Sequence, residues 1–341
     1  MTKKPVATAP QVEIKKITSA QKVLRETEKE RSSKPFRLWP WLGALLIIGV
    51  ILLATVSLVA WNWLRGLQLN ANTNVPQPTI TTYTVQRTAH YADLTFTVLN
   101  AQYTTYFTND NIHAGPATAR INLQVANKTR IPISVIYYDS VRLLLPNGNA
   151  IAPTNLQLSP DVQAGATIQG WMDFPVDKGI QLSSLKMQFG VASLNETLVT
   201  LPFSGKYDPN LDTPRTYPLS VVFYYNFGGH VLVYHLNSID VRYSYAGNQV
   251  HAGQQYYVLN FTVDNNNGVD VSPGYGYDYI RLTLNGTDKP PIDNTLPYGF
   301  KAGAQSVGGR VVYVAPAGMH TLTISFLVQL APGKSSYQVS F

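Results

Sequence analysis

The chain has 341 residues, 45% of them hydrophobic, and a formal net charge of +7. That charge is uneven: residues 1–38 carry ten Lys/Arg against four Glu, whereas residues 66–341 carry 15 of each sign, so the bulk of the chain has no basic excess pointing to nucleic acid. With no cysteine at all, disulfides, thiolate metal sites, a cysteine nucleophile and a lipid-bearing cysteine are excluded.

Residues 1–38 read as a basic cytoplasmic tail, polar and proline-punctuated at its start. Ile14, Ile17 and Leu24 fall roughly on one face among lysines and arginines. That pattern fits either a solvated tail or a helix on an anionic membrane surface. Residues 42–60 are 19 positions without a charge, long enough as a helix to cross a hydrocarbon core. Trp39 and Trp41 precede this run and Trp61 and Trp63 follow it, four of the chain's five tryptophans. Indole rings favour the headgroup level, so these four mark both membrane interfaces. A single-pass transmembrane helix is therefore expected within 39–64. The 38 residues before it and the Leu58-Val59-Ala60 junction argue against a cleavable signal peptide and for a signal anchor. Positive flanking residues stay inside, which places the N-terminus in the cytoplasm and all that follows outside the cell membrane. Residues 65–83, with Asn70, Asn72, Asn74, Pro76 and Pro78, read as a linker.

Beyond the linker the pattern becomes short alternating apolar runs, such as Leu94-Thr95-Phe96-Thr97-Val98 and Ile121-Asn122-Leu123-Gln124-Val125, the signature of half-buried strands. The chain also repeats itself. Ile112-His113-Ala114-Gly115 matches Val250-His251-Ala252-Gly253, and Ile121 to Asn127 matches Leu259 to Asn265, both at a separation of 138. Tyr138 to Leu143 matches Tyr277 to Leu282 at 139, and Ala164-Gly165-Ala166 matches Ala302-Gly303-Ala304 at 138. Blocks at near-constant spacing imply two copies of one domain. The expected fold is all-β: two tandem immunoglobulin-like β-sandwiches, 84–204 and 219–341, joined by a proline-rich linker at 205–218.

In copy one the repeated parts are Ala114-Gly115, Ile121 to Asn127, Val141 to Gly148, Ala164-Gly165 and Gly170 to Phe174. In copy two they are Ala252-Gly253, Leu259 to Asn265, Ile280 to Gly286, Ala302-Gly303 and Gly309 to Tyr313. This pattern resembles the telokin-like, Ig-like domain of unknown function of bacterial exported proteins, related to the immunoprotective extracellular antigen. The resemblance implies the sandwich fold and a bacterial envelope setting. It brings no catalytic residues, and relatives that carry a lipid-anchor cysteine would differ from this chain in their anchor.

Asp264, Asn266 and Asp270 offer alternate oxygens as at the start of a calcium loop, but the glycine falls fifth rather than sixth and copy one has no matching acid. The competing reading is a Gly/Asn turn. Tyr275, Tyr277 and Tyr279 alternate and would share one strand face, a candidate ligand surface, or else ordinary strand composition. His113 and His251, duplicated beside Ala-Gly, read as turn residues. Arg142 and Arg281, near Asp139 and Asp278, suggest salt bridges to neighbouring strands. No His-Glu-x-x-His or Gly-x-Ser-x-Gly spacing occurs. The expectation is a non-enzymatic, membrane-anchored binding or adhesion protein of the bacterial envelope, needing no cofactor, with envelope glycan or protein as partner and no nucleic acid. The alternative is an envelope sensor or assembly factor acting through its cytoplasmic tail. A third reading is a hydrolase built on the Asp264 loop.

Overall fold

The structure, a computed structural model, describes residues 56–57, 60, 78–110, 112–327 and 334–341. The basic tail and the apolar stretch with Trp39, Trp41, Trp61 and Trp63 lie outside them, save Val56, Ser57 and Ala60, which are helical. Among the described residues no helix is long and apolar enough to cross a membrane. Those from 78 onward belong to one unit built almost wholly of antiparallel strands.

The first half contains β1 (Thr81–Tyr91), β2 (Leu94–Thr104), β3 (Ala117–Asn127), β4 (Ile133–Ser134), the helical turn α1 (Tyr137–Ser140) and β5 (Val141–Leu144). It continues with β6 (Ala150–Ile151), β7 (Asn155–Gln157), β8 (Asp161–Val162), β9 (Thr167–Val176), β10 (Lys186–Phe189) and β11 (Val199–Pro202). The order β1-β2-β3-β9-β7 makes one sheet and β11-β10-β5-β6 a second. The second half contains β12 (Arg215–Phe227), β13 (His230–Arg242), β14 (Ser244–Tyr245), β15 (Asn248–Gln249), β16 (Gln254–Asp264) and α2 (Gly276–Tyr279). After α2 come β17 (Ile280–Leu284), β18 (Thr287–Lys289), β19 (Asp293–Asn294), β20 (Val307–Pro316), β21 (Thr321–Leu327) and β22 (Lys334–Ser340). Its sheets run β12-β13-β16-β20-β19 and β18-β17-β21-β22.

Strand for strand, the two halves have the same order. They also share irregularities. The β2–β3 register breaks between Val98 and Asn100, and the β13–β16 register between Leu236 and Ser238. A bulge is fixed by backbone geometry, so its recurrence 138 residues on is a stronger sign of duplication than shared apolar residues. Asn127 and Asn265 play one role: the Asn127 amide donates to the carbonyls of Ile131 and Val162, and the Asn265 amide to those of Val269 and Phe300. Arg142 and Arg281 correct the salt-bridge expectation. Each donates through Nη1 to the carbonyls of its own helical turn, Tyr138 and Val141 in one, Tyr277 and Ile280 in the other. The short turn preceding each arginine leaves free carbonyls for it to cap.

Alternation puts Leu94, Phe96 and Val98, with Ile121, Leu123 and Val125, between the sheets of the first half, where Phe96 meets Phe189 at 4.7 Å. Fully burying one such side chain contributes roughly 1.5–3 kcal/mol. The second core is built largely on tyrosine. Tyr225, Tyr234, Tyr257, Tyr279 and Tyr313 are all buried, so much of the tyrosine count is core material. Tyr234 and Tyr279 share a hydroxyl–hydroxyl bond of 2.7 Å, whereas the buried Tyr313 hydroxyl has no partner. Urea unfolding should separate the two cases. Tyr234→Phe orphans the Tyr279 hydroxyl and is expected to cost about 1–3 kcal/mol, while Tyr313→Phe is expected to be neutral or stabilising by up to about 1 kcal/mol. Equal losses in the two variants would contradict this assignment.

The segment after β11, where the linker at 205–218 is expected, makes bonds of its own. Tyr207 donates from its hydroxyl to the Thr88 carbonyl (2.6 Å), and the Arg87 guanidinium donates to the carbonyls of Pro202, Ser204 and Gly205. These bonds fasten it to the first half. β12 already begins at Arg215, and Pro218 sits beside its register break, a place where an edge strand tolerates proline.

Candidate functional site

The connection between β2 and β3 folds back over the outer face of the first five-stranded sheet. Asp110 shapes it: its Oδ1 accepts the N–H groups of Ile112 (3.0 Å) and His113 (3.3 Å), and its Oδ2 accepts the Thr118 hydroxyl. An aspartate bonding its own downstream backbone is the usual way to close such a turn. His113 takes a left-handed φ of 45°. Beneath the turn lies a buried ion pair. Arg120 Nε and Nη2 donate to the two carboxylate oxygens of Asp173, each at 2.7 Å. The guanidinium is held between the rings of Phe107 (3.9 Å) and Trp171 (3.8 Å), and Trp171 Nε1 is tied to Gln157 Oε1 at 2.7 Å. Gly170 makes this approach possible, because a Cβ there would fall 1.7 Å from the Gln157 carbonyl oxygen. Burial pushes the Asp173 carboxyl up, against the pull of Arg120, and Asp110 adds to the rise. An open cleft of about 560 Å³ lies beside the turn, lined by Tyr106, Phe107, Asp110 and His113 among others.

The same position in the second half is built differently. Strand register sets Val258 where Arg120 stands and Val312 where Asp173 stands. Both valines are buried with Tyr245, Val250 and Tyr256 in a small apolar cluster. The fold therefore does not require charge here.

The second-half connection is also docked. Ala246 and Gly247 both have positive φ (51° and 81°), as the tight hairpin between β14 and β15 demands. The hairpin reaches the first half at Asp93. Asp93 Oδ2 accepts the Gly247 N–H (3.2 Å), and its Oδ1 accepts the Ser244 hydroxyl (3.1 Å) and pairs with Arg242 (3.3 Å). The chain then runs antiparallel to the segment before β11, with a β-bridge between Glu196 and His251. The Thr197 N–H donates to the Val250 carbonyl and the Ala252 N–H to the Asn195 carbonyl, each at 2.8 Å. His251 Nδ1 lies 3.0 Å from the Leu194 carbonyl oxygen.

In the first half the equivalent groups are open. Ile112 is 55% exposed where Val250 is 3%. Among the described residues the Ile112 carbonyl and the Ala114 N–H have no backbone partner. One copy of the duplicated motif is thus an occupied edge within the molecule, and the other is a turn that faces solvent.

Of the residues singled out by sequence, Tyr275, Tyr277 and Tyr279 do not share a strand face. They sit at the helical turn α2, which opens where the Asp278 carboxylate accepts the Tyr275 N–H at 2.9 Å. The turn sends Tyr279 into the core and leaves Tyr275 and Tyr277 exposed. Tyr298 joins them, meeting Tyr275 edge-on at 5.2 Å. The Asp264, Asn266 and Asp270 oxygens are engaged separately. Asp264 takes the Ser306 N–H and faces His235, Asn266 takes the Gln305 amide, and Asp270 takes Lys301 and the Ala302 N–H. These contacts hold the Asp264 and Asp270 carboxyls below their ordinary range, the Ser306 N–H acting most on the first and Lys301 on the second. Among the described residues no three His, Cys, Asp or Glu side chains cluster as metal ligands would. The Arg120–Asp173 pair is not among the residues the sequence singled out, and only the other copy hints at it. In β16, Tyr256-Tyr257-Val258-Leu259 is apolar without alternation, which marks a strand covered on both faces. In β3 the corresponding Thr118-Ala119-Arg120-Ile121 conceals the same covering behind polar residues.

No family model matches the chain, and no curated protein matches it. Among solved structures it is similar to a functionally unknown protein from Listeria monocytogenes EGD-e, at 15% identity and a TM-score of 0.28, over 38% of this chain and 89% of that one. It is also similar to a conserved hypothetical protein from Bacillus anthracis, at 14% identity and a TM-score of 0.26, over 36% of this chain and 91% of that one.

Proposed function

We propose that this chain is a non-enzymatic binding protein of the bacterial cell envelope. In this reading a single helix within 39–64 anchors it, two tandem immunoglobulin-like sandwiches stand outside the membrane, and the β2–β3 connection grips an extended segment of a partner protein. The paired five- and four-stranded sheets support the sandwich reading. The binding reading rests on one observation. The Val250-His251-Ala252 edge holds an extended segment by backbone bonds, and at its duplicate, Ile112-His113-Ala114, the matching carbonyl and N–H are exposed on either side of the left-handed His113, which would have to straighten to pair in the same way. Strand addition at an open edge draws affinity from main-chain bonds and selectivity from neighbouring side chains. Here Tyr106 and His113, whose rings meet edge-on at 6.0 Å, would supply the selectivity.

A photo-crosslinking residue at position 112 of the full chain, in its own membrane, tests this. A protease-sensitive adduct is expected from position 112 and none from position 224, where Tyr224 is equally exposed but lies on β12. The adduct should disappear when His113→Ala is added. Equal yields from the two positions, or adducts that contain only glycan, would count against a protein-binding edge.

A further inference from the structure

The helical turns α1 and α2 carry the same two charged side chains and use them differently. In the second half both are engaged. The Asp278 carboxylate accepts the Tyr275 N–H at 2.9 Å, and Arg281 adds to its Nη1 bonds another from Nη2 to the Asp278 carbonyl, at 3.2 Å. In the first half the matching groups are left over. The Asp139 carboxylate does not close the start of its turn, and among the described residues it has no hydrogen-bond or ion-pair partner. Arg142 bonds through Nη1 alone, to the Tyr138 and Val141 carbonyls at 2.7 Å each. Those two bonds fix the guanidinium plane and turn its other edge, Nε and Nη2, away from the backbone of the turn. By that same edge Arg120 holds both oxygens of Asp173, because the fork of donors matches a carboxylate.

Asp139 and Arg142 both line an open cleft of about 520 Å³, within the roughly 300–1,000 Å³ of small-molecule sites. Gly247 of the β14–β15 hairpin also lines it, so the cleft lies where the second half meets the first. Ile136 and Leu194, 66% and 59% exposed, give it aliphatic walls. Leu194 is held from across the junction, with His251 Nδ1 3.0 Å from its carbonyl oxygen. A carboxylate without a donor attracts ammonium, and a guanidinium edge without an acceptor attracts carboxylate. The two side chains do not pair with each other, so a ligand that carries both charges satisfies both.

We infer that this cleft binds a small zwitterion with an aliphatic side chain, its ammonium group at Asp139 and its carboxylate at Arg142. A free amino acid and a dipeptide share that chemistry. The inference is independent of the binding turn at Ile112.

Calorimetry on the purified full chain can decide, with leucine and leucyl-leucine as probes. Their N-acetyl forms lack the ammonium group and their amides lack the carboxylate. A zwitterion is expected to bind, and its N-acetyl and amide forms to bind roughly tenfold or more weakly. Leucine binding at least as tightly as leucyl-leucine would identify an amino-acid site, and tighter binding of leucyl-leucine a dipeptide site. Asp139→Asn changes an exposed side chain that no other group holds, and should remove the advantage over the N-acetyl form. Ser193 is exposed at the cleft, and Ser193→Trp, which fills the space and leaves both charges in place, should abolish binding. Asp278→Asn, the same change in the second half, should leave binding unaltered. Equal affinity for a zwitterion and its N-acetyl form, binding unchanged in Asp139→Asn or Ser193→Trp, an equal loss in Asp278→Asn, or no binding of either zwitterion would overturn the inference.

Discussion

Arg120→Ala is expected to destabilise the folded chain by about 3–5 kcal/mol, the range for removing one partner of a buried ion pair. Asp173 is fully buried, and without the guanidinium its carboxylate keeps no charged partner. The variant also loses the ring contacts of Phe107 and Trp171. The second half supplies the control, since Val258 and Val312 fill the same two positions and are buried. The double variant Arg120→Val/Asp173→Val should therefore recover to within about 1 kcal/mol of the parent, or exceed it, as apolar replacements of buried ion pairs often do. Chemical denaturation of the three proteins checks this. A double variant no more stable than the single one would mean that the pair is needed by the fold itself. Full recovery of stability together with loss of the adduct at position 112 would mark the charge as part of the binding edge.

Asp93→Ala is the second large effect expected. The Asp93 side chain is 4% exposed and gathers Arg242, Ser244 and Gly247 from the second half. Its removal leaves a part-buried N–H without its acceptor and a half-buried guanidinium without its anion, a loss of about 2–4 kcal/mol. Most of that loss falls on the junction rather than on either core. The parent should unfold in one transition and the variant in two, as the halves uncouple. Asn tolerates the left-handed φ of 60° at this position and still offers an acceptor. Asp93→Asn should accordingly give the smaller loss and keep a single transition. Calorimetric scans distinguish these outcomes, and a single, unshifted transition in Asp93→Ala would show that the junction does not couple the halves.

The strands and the duplication were legible in the sequence because both depend on inward-facing residues, which repeat with the strand period. Leu123 and Phe261 occupy matching core positions, as do Met187 and Ile324. What was not legible depends on the outward face. Arg120 and Asp173 look like ordinary exposed residues until the connection that precedes β3 folds over them. The Tyr-Gly-Tyr-Asp-Tyr run at 275–279 alternates like a strand, yet Asp278 caps it into a helical turn, and the repeat at Tyr137–Ser140 turns the same way. The junction could not be inferred from pattern at all. Asp93 lies in a two-residue turn, where an acidic residue carries no pattern of its own, and Val250-His251-Ala252-Gly253 resembles its own duplicate although only one of the two is docked. Local sequence cannot distinguish a paired edge from an open one, because main-chain groups are the same at every residue.

Amide hydrogen exchange read residue by residue is the most direct test of the claim that one edge is closed and its duplicate open. In the purified chain, the Ala252 and Thr197 N–H groups should exchange slowly and the Ala114 N–H at close to the rate of an unprotected amide. In native envelope membranes Ala114 should become slow as well, because the partner segment then accepts its hydrogen bond. Exchange at Ala114 as slow as at Ala252 in the purified chain, or as fast in the envelope as in isolation, would contradict the account.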